Sequence, residues 1–122
     1  PLIGAAELRT ISDRCRQVAC HPLVEDYLLD LVSASRGDSA VELGVSPRGS
    51  LALLRAGQAL AAIRGRDFVT PDDLQTLARP VLAHRLILSP ESRLRGQSAD
   101  AVIKRLLDQT PVPVEEQWSA SR

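Results

Sequence analysis

The sequence is very poor in methionine and in aromatic residues. It has no methionine, and only three of its 122 residues are aromatic: Tyr27, Phe68 and Trp118. Single-stranded nucleic acids bind by stacking their bases on aromatic side chains, so a chain with three of them matches that function poorly. Because the chain begins at Pro1 and lacks methionine, we expect it to be an excised or processed piece of a longer product.

The chain also lacks net charge and long apolar runs. Fifteen basic and fifteen acidic residues cancel to a formal charge of zero, which gives no overall attraction to nucleic acid or to anionic lipid. No apolar run approaches the roughly 20 residues that span a membrane, and no charged start followed by an apolar stretch indicates a signal peptide. We therefore expect a cytoplasmic protein with no nucleic-acid partner and no membrane partner.

The usual motifs of catalysis and metal binding are missing. The sequence has no GxxxxGK(S/T) phosphate loop, no His-Glu-x-x-His helix and no nucleophile elbow. His21 and His84 stand alone, and Cys15 and Cys20 are spaced neither as a zinc pair nor as a redox Cys-x-x-Cys. We therefore predict two reduced thiols, no metal site, and neither catalysis nor a bound cofactor in this chain by itself.

What the sequence does contain is helical periodicity with clear helix boundaries. A chain of this length can form one compact domain with a hydrophobic core. Apolar residues at three-four spacing, together with capping residues and N-terminal prolines, predict five helices. They are expected at Ala5 to Val18, at Leu23 to Ser35, at Pro47 to Arg64, at Pro71 to about Ala78, and from the Ser98 cap to Thr110. The predicted fold class is all-α, a small helical bundle.

Short segments between and after these helices complete the expected fold. Residues 36 to 45 are rich in turn formers and are expected to loop. Pro80 is expected to kink or restart the fourth helix, and the apolar run Leu86-Ile87-Leu88 resembles a strand. The pair Phe68-Val69 would join that run in a short two-stranded β hairpin. Residues 114 to 122 are expected to be a disordered tail.

The third helix begins with the most informative pattern, Ser46-Pro47-Arg48. Ser46 can cap the helix while Pro47 takes its first position, where a missing N–H costs nothing. A guanidinium that projects from the start of a rigid helix offers a fixed fork for phosphate oxygens, and the helix dipole adds to its field. Arg48 is therefore the candidate anion-binding residue, although spacing alone is explained more often by a helix start without a ligand.

A helical wheel places Arg48 away from the expected core. This helix has two apolar stripes, so we expect other parts of the chain to pack against both of these sides. The stripes consist of Leu53, Ala56, Leu60 and Ile63 on one side and of Leu51 and Leu54 on the other. The remaining outward wedge carries Arg48, Ala52, Arg55 and Ala59.

The other charged residues are assigned no role. His84 is expected to be structural or to lie on the surface. The pairs Arg64 with Arg66 and Arg93 with Arg95 are interleaved with acidic residues. We expect both pairs to lie in ordinary solvated loops.

Three ordered blocks of the sequence resemble the lid region of the MoxR family of AAA+ ATPases. The first is Val41-Glu42-Leu43-Gly44-Val45-Ser46-Pro47-Arg48, followed by Ser50-Leu51-Ala52-Leu53-Leu54-Arg55-Ala56. The others are Gly65-Arg66-Asp67-Phe68-Val69-Thr70-Pro71-Asp72-Asp73-Leu74 and Pro80-Val81-Leu82-Ala83-His84-Arg85-Leu86. The likeness extends from about Val24 to Pro113 and is weak over the first twenty residues.

The resemblance implies an AAA+ lid over residues 21 to 113, preceded by a leading helix in residues 1 to 20 that links it to an ATPase domain. It implies that Arg48 is the second sensor arginine, which reaches the γ-phosphate of ATP, and that Ser46 and Pro47 set the start of its helix. The full-length parent would then be an ATPase that uses ATP and Mg²⁺. Its partners would be the P-loop domain, neighbouring subunits of a ring and a client protein.

Two other functions stay open at the level of the sequence. The chain is also consistent with a stand-alone helical module that binds a partner protein through an apolar face. A helical DNA-binding module is the weaker alternative, because the balanced charge argues against it. The sequence does not decide whether Arg48 would act within its own subunit or across a ring interface.

Overall fold

A computed structural model describes residues 2–119 of the chain. The helices in this range are α1 (Ala5–Arg16), α2 (Pro22–Gly37), α3 (Pro47–Ile63), α4 (Pro71–Leu82), α5 (Pro90–Leu94), α6 (Ala99–Gln109) and α7 (Glu115–Ser119). A 3₁₀ turn (Ala83–Arg85) follows α4, and two short strands are β1 (Val41–Leu43) and β2 (Ile87–Leu88). The prediction of an all-α bundle with a short two-stranded β element is confirmed.

The helix starts follow from local chemistry. Both α3 and α4 begin at a proline in the first turn, as predicted. At α4 the Thr70 hydroxyl accepts a hydrogen bond from the Asp73 N–H, and the Asp73 carboxylate accepts one from the Thr70 N–H. This reciprocal capping box satisfies two of the donors that every helix start leaves unpaired.

One hydrophobic core lies between α2, α3, α4 and α6. Its largest fully buried side chains include Tyr27, Leu53 and Leu74. The hydroxyl of Tyr27 accepts a hydrogen bond from the Gln75 side chain at 3.1 Å, which satisfies the polar end of this buried ring. The remaining members of the core are aliphatic except for Trp118: Val24, Leu28, Leu31, Val32, Ala40, Val45, Val69, Ala78, Leu82, Leu86, Leu88, Val102, Ile103, Leu106 and Trp118.

The strands pair differently from the predicted hairpin. β1 and β2 are antiparallel, with Val41 opposite Leu88 and Leu43 opposite Ile87. The run at Leu86-Ile87-Leu88 therefore contains a strand, but its partner comes from the segment predicted to loop. Phe68 instead forms an isolated parallel bridge with Ala19. The predicted partner was wrong because both segments are too short to show the two-residue alternation that identifies a strand.

Several helix boundaries also differ from the prediction, among them both ends of α2, which spans Pro22–Gly37. α4 does not stop at Ala78 but continues through Pro80 to Leu82 before the 3₁₀ turn. Pro80 lies in the last turn of α4, and the burial of Ala78 and Leu82 favours continuing the helix past it. α1 ends at Arg16, two residues before the predicted end.

The segment after α6 is ordered through α7. Trp118 is 6% exposed and belongs to the core, and its ring centroid lies 6.2 Å from that of Phe68. The prediction of a disordered tail over residues 114 to 122 is therefore wrong for residues 114 to 119. Residues 120–122, like Pro1, lie outside the described part of the chain.

α1 lies on the outside of the bundle, and it has no buried residue. The Gln58 side chain of α3 donates hydrogen bonds to the carbonyls of Arg16 and Val18 at 3.2 and 3.0 Å. The Ala19 N–H bonds to the Asp67 carbonyl, and the Val69 N–H to the Ala19 carbonyl. These contacts join the described part of the leading segment to α3 and to the turn that follows it.

Candidate functional site

The start of α3 places Arg48 in the first turn of a 17-residue helix. Ser46 occupies the N-cap position with extended backbone angles, and its carbonyl accepts from the N–H groups of Gly49 and Ser50 at 2.9 and 3.2 Å. Its hydroxyl makes no capping hydrogen bond. Ser46 and Pro47 thus set the helix start through backbone conformation, and the predicted side-chain cap is absent.

Arg48 is exposed and has no partner within residues 2–119. It makes no hydrogen bond, ion pair or ring contact with any described residue. The ion pairs of the described chain involve other arginines: Arg64, Arg66, Arg79 and Arg105. All five N–H donors of the Arg48 guanidinium are therefore available to an anion.

The segment before Arg48 is held by the end of α2. The Val45 N–H donates to the Ser35 hydroxyl at 3.1 Å, and that hydroxyl donates to the Val32 carbonyl at 2.6 Å. The Arg36 Nε donates to the Val45 carbonyl at 3.0 Å. Because Val45 and Ser35 are almost completely buried, these bonds fix the backbone on which Arg48 stands.

Two glycines allow the close approach that this arrangement needs. A Cβ on Gly44 would lie 2.8 Å from the Cα of Arg36, and a Cβ on Gly49 would lie 2.4 Å from Cγ1 of Val45. Real Cβ atoms do not approach other heavy atoms so closely, so any side chain at either position would displace the start of α3. The site is a rigid helix start that carries a free guanidinium.

Comparison with known proteins identifies the domain. Residues 33–106 match the family model of the AAA lid domain. The chain belongs to the AAA lid domain family. It is 36% identical to the uncharacterised protein YeaC of Bacillus subtilis. The alignment covers 94% of the chain and 36% of YeaC. It is also 31% identical to Chaperone MoxR1 of Mycobacterium tuberculosis. That alignment covers 92% of the chain and 32% of MoxR1.

A solved structure agrees with this assignment. A crystal structure of a candidate ATPase from Cytophaga hutchinsonii superposes with a TM-score of 0.79 at 28% identity, covering 84% of the lid and 34% of that chain. The predicted resemblance to MoxR-type AAA+ lids is confirmed by these matches. The lid spans about a third of the length of the proteins that it matches.

The buried stripe of α3 in this lid consists mostly of small residues. Gly49, Leu53, Gly57 and Ala61 are buried, whereas Ile63, which was predicted to be in the core, is 81% exposed. A Cβ on Gly57 would lie 3.0 Å from the Leu74 side chain, so α3 and α4 pack closely here. The four-residue spacing of small residues was the sequence signal for this face.

Arg64 and Arg66 pair with Asp73 at the other end of α3. The prediction that they lie in an ordinary solvated loop is therefore wrong. Arg66 bonds to both carboxylate oxygens of Asp73, and Arg64 adds a third bond at 3.1 Å. Burial would raise the pKa of Asp73, but the hydrogen bonds from Arg66 and from the Thr70 N–H hold it below its usual value. This cluster was not predicted, because the nearby Asp67 indicated a simple local charge balance.

The other predicted polar residues take structural or surface positions. His84 is exposed, and the His21 Nδ1 accepts from the Leu23 N–H at the start of α2. Both cysteines are free thiols, as predicted. Burial, helped by the nearby Glu25, raises the pKa of Cys20 to about 12, which makes Cys20 a poor nucleophile at neutral pH.

Two absences within residues 2–119 concern metal binding and membrane spanning. No group of three or more histidine, cysteine or acidic side chains in this range is arranged to hold a metal ion. None of the helices in the same range is long and apolar enough to cross a membrane.

Proposed function

We propose that this lid covers ATP bound to a P-loop domain of the same protein, and that Arg48 binds the terminal phosphate. The observation that carries the proposal is the exposed, unpartnered Arg48 guanidinium on a helix start that Ser35 and Arg36 hold in place. A guanidinium matches the geometry of phosphate oxygens, and the helix dipole favours an anion at the same point.

The chemistry explains how such a contact would couple to motion. A γ-phosphate bound by Arg48 draws the lid toward the nucleotide, and hydrolysis removes that contact. The lid then has different interactions in the two nucleotide states, so its preferred orientation changes. Mg²⁺ would bind with the ATP phosphates and the P-loop domain, where it neutralises charge during phosphoryl transfer.

The relatives suggest the wider setting. MoxR1 of Mycobacterium tuberculosis is named a chaperone, and we extend that role to this protein as a machine that assembles or activates other proteins. Neighbouring subunits of a ring would receive the lid motion and pass it to a client protein. A cytoplasmic location and the absence of nucleic-acid and membrane partners stay predictions.

The decisive experiment is Arg48→Ala in the full-length protein, with ATP turnover measured at several ATP concentrations. Loss of a hydrogen bond to a charged group costs about 1.5–3 kcal/mol, so kcat/KM should fall roughly 10- to 100-fold. Arg55→Ala is the matched control, because Arg55 is another exposed arginine on α3 and should leave the kinetics unchanged. Unchanged kinetics in Arg48→Ala, with the fold intact, would refute the proposal.

A stand-alone interaction module is the second candidate. A groove of about 540 Å³ between α1 and α3 favours it, with apolar lining from Ile11, Ala59, Ala62 and Ile63. This function would lead if the 122-residue chain bound a partner protein equally well with and without the remainder of the full-length protein. Binding that requires the ATPase domain would instead support the lid function.

A further inference from the structure

A second arginine lies against the first turn of α3. The Arg85 Nε, in the 3₁₀ turn after α4, donates to the Val81 carbonyl at 3.0 Å. Its Cδ lies 3.4 Å from the position that a Cβ on Gly49 would occupy. The aliphatic stem of Arg85 therefore crosses the helix turn at the residue directly after Arg48.

No carboxylate in the described part of the chain pairs with Arg85. Within residues 2–119 its only hydrogen bond is the one from Nε, so both terminal nitrogens are free, and it forms no ion pair. Arg48, one residue from the contact point, is also unpaired. The N-terminus of α3 adds the partial positive charge of the helix dipole. Cations without a carboxylate partner beside a helix N-terminus favour the binding of an anion.

We propose that Arg85 is a second phosphate-binding arginine, which binds phosphate oxygens of the same polyphosphate that Arg48 engages. This inference rests on the proposed function and assigns a further residue to its site. Successive helix positions are rotated by about 100°, so the stem beside Gly49 and the side chain of Arg48 approach the helix start from different directions. A triphosphate presents oxygens on several phosphorus atoms and can satisfy two forks at once.

The contacts of Arg85 explain why its fork would be well oriented. The bond from Nε to the Val81 carbonyl restricts the plane of the guanidinium and leaves its two outer nitrogens without a partner among residues 2–119. The stem lies beside Gly49, and a Cβ at that position would be in ordinary van der Waals contact with its Cδ at 3.4 Å. Lysine at position 85 would keep the charge but lose this orienting bond.

The test uses the full-length protein and two variants that separate charge from packing. Arg85→Met keeps an unbranched stem against Gly49 and removes the charge, whereas Arg85→Lys keeps the charge. The measurements are binding of MgATP with a fluorescent label on the ribose, KM and kcat for ATP, and thermal unfolding. The control is Arg79→Met, because Arg79 lies on α4, just before the 3₁₀ turn, but is exposed and paired with Asp100.

We expect Arg85→Met to weaken MgATP binding about tenfold or more, Arg85→Lys to recover part of that loss, and Arg79→Met to match the wild type. Equal losses in Arg85→Met and Arg85→Lys, with a lower unfolding temperature in both, would mean that Arg85 only packs and would overturn the inference. Wild-type binding in Arg85→Met while Arg48→Ala is impaired would overturn the inference and leave the proposed function intact. The reverse result would keep Arg85 as a phosphate ligand and refute the role of Arg48.

Discussion

The Val45 N–H donates a hydrogen bond of 3.1 Å to the buried Ser35 hydroxyl, which ties the loop before α3 to the end of α2. The hydroxyl donates onward to the Val32 carbonyl at 2.6 Å, so it uses its single proton and an acceptor lone pair at the same time. Ser35 is only 1% exposed and Val45 is not exposed at all, so water cannot replace either bond. The position of Arg48 therefore depends on a residue in the preceding helix.

Ser35→Ala should lower the free energy of unfolding and loosen the backbone that positions Arg48. The substitution leaves the Val45 N–H buried without a partner, which costs about 1–3 kcal/mol. Urea unfolding followed by circular dichroism measures this cost. Ser33→Ala is the matched control, because Ser33 is exposed on the same helix and should change stability little. Equal stability of both variants would show that the Val45 N–H finds another partner and that Ser35 does not hold the loop.

Gly49→Ala should also be destabilising, although alanine is intrinsically the better helix former. Its Cβ would lie 2.4 Å from Cγ1 of Val45, and relieving such overlap costs about 1–3 kcal/mol. Gly37→Ala provides the contrast, because a Cβ there meets no atom within 4 Å and should stabilise α2 by about 0.4–1 kcal/mol. Both effects can be read from the midpoint of urea unfolding. A stabilising Gly49→Ala would contradict the close contact with Val45.

Comparing Val45→Ala and Gly49→Ala with the double variant Val45→Ala/Gly49→Ala tests whether overlap with Val45 causes the loss of stability. If the overlap with Val45 is responsible, removing both Val45 methyl groups should make the alanine at position 49 less costly than it is alone. Additive costs would place the strain elsewhere, because independent sites add.

The parts of the fold that could be predicted from the sequence are those with a local physical cause. α3 and α4 start where expected because a cap residue followed by proline is a signal contained in a few adjacent positions. The pairing of β1 with β2 joins residues far apart in sequence, and strands of two or three residues carry no local pattern that identifies a partner. α7 was missed for a related reason, since its stability comes from burial of Trp118 in a distant core and not from its own five residues.

The candidate site likewise has one part that follows from local sequence and one part that depends on tertiary packing. Arg48 was identified because its place in the first turn follows from Ser46 and Pro47. Its supports were not identified, because Ser35 and Arg36 act across a loop. The place of Arg85 beside Gly49 was missed because Arg85 comes from the 3₁₀ turn after α4, far along the chain. Such contacts are set by tertiary packing, which a single sequence does not show.

Trp118 should anchor α7 to the core. Within residues 2–119, its indole Nε1 is the one buried side-chain nitrogen or oxygen without a hydrogen-bond partner. Trp118→Ala should cost about 3 kcal/mol through loss of the ring. Trp118→Phe should cost much less, because it keeps an aromatic ring against Phe68 and removes the unpaired N–H. Urea unfolding compares the two variants.

The fluorescence of the wild-type chain offers an independent check, because Trp118 is the only tryptophan. A buried indole emits at shorter wavelength than one in water, so the emission should shift to longer wavelength when the chain unfolds. Emission typical of an exposed indole in the folded chain, with no loss of stability in Trp118→Ala, would restore the prediction of a disordered tail.

Asp73→Asn should destabilise the chain in a pH-dependent way. Asp73 is buried and bonded to Arg64 and Arg66, and breaking a buried pair of this kind costs about 3 kcal/mol. Since the folded pKa of Asp73 lies below the unfolded value, its ionised form contributes stability above the unfolded pKa of about 3.9. That contribution is lost as the pH falls through the folded pKa.

The measurement is urea unfolding of the wild type and Asp73→Asn at pH 7 and at several values below pH 4. The stability difference between the two proteins should be largest at pH 7 and should shrink as the wild-type carboxylate becomes protonated. Asp72→Asn is the matched control, because Asp72 is exposed in the same helix turn, and it should cost no more than about 1 kcal/mol through the helix dipole. A difference between wild type and Asp73→Asn that stayed constant down to pH 2 would mean that the carboxylate charge does not stabilise the junction of α3 and α4.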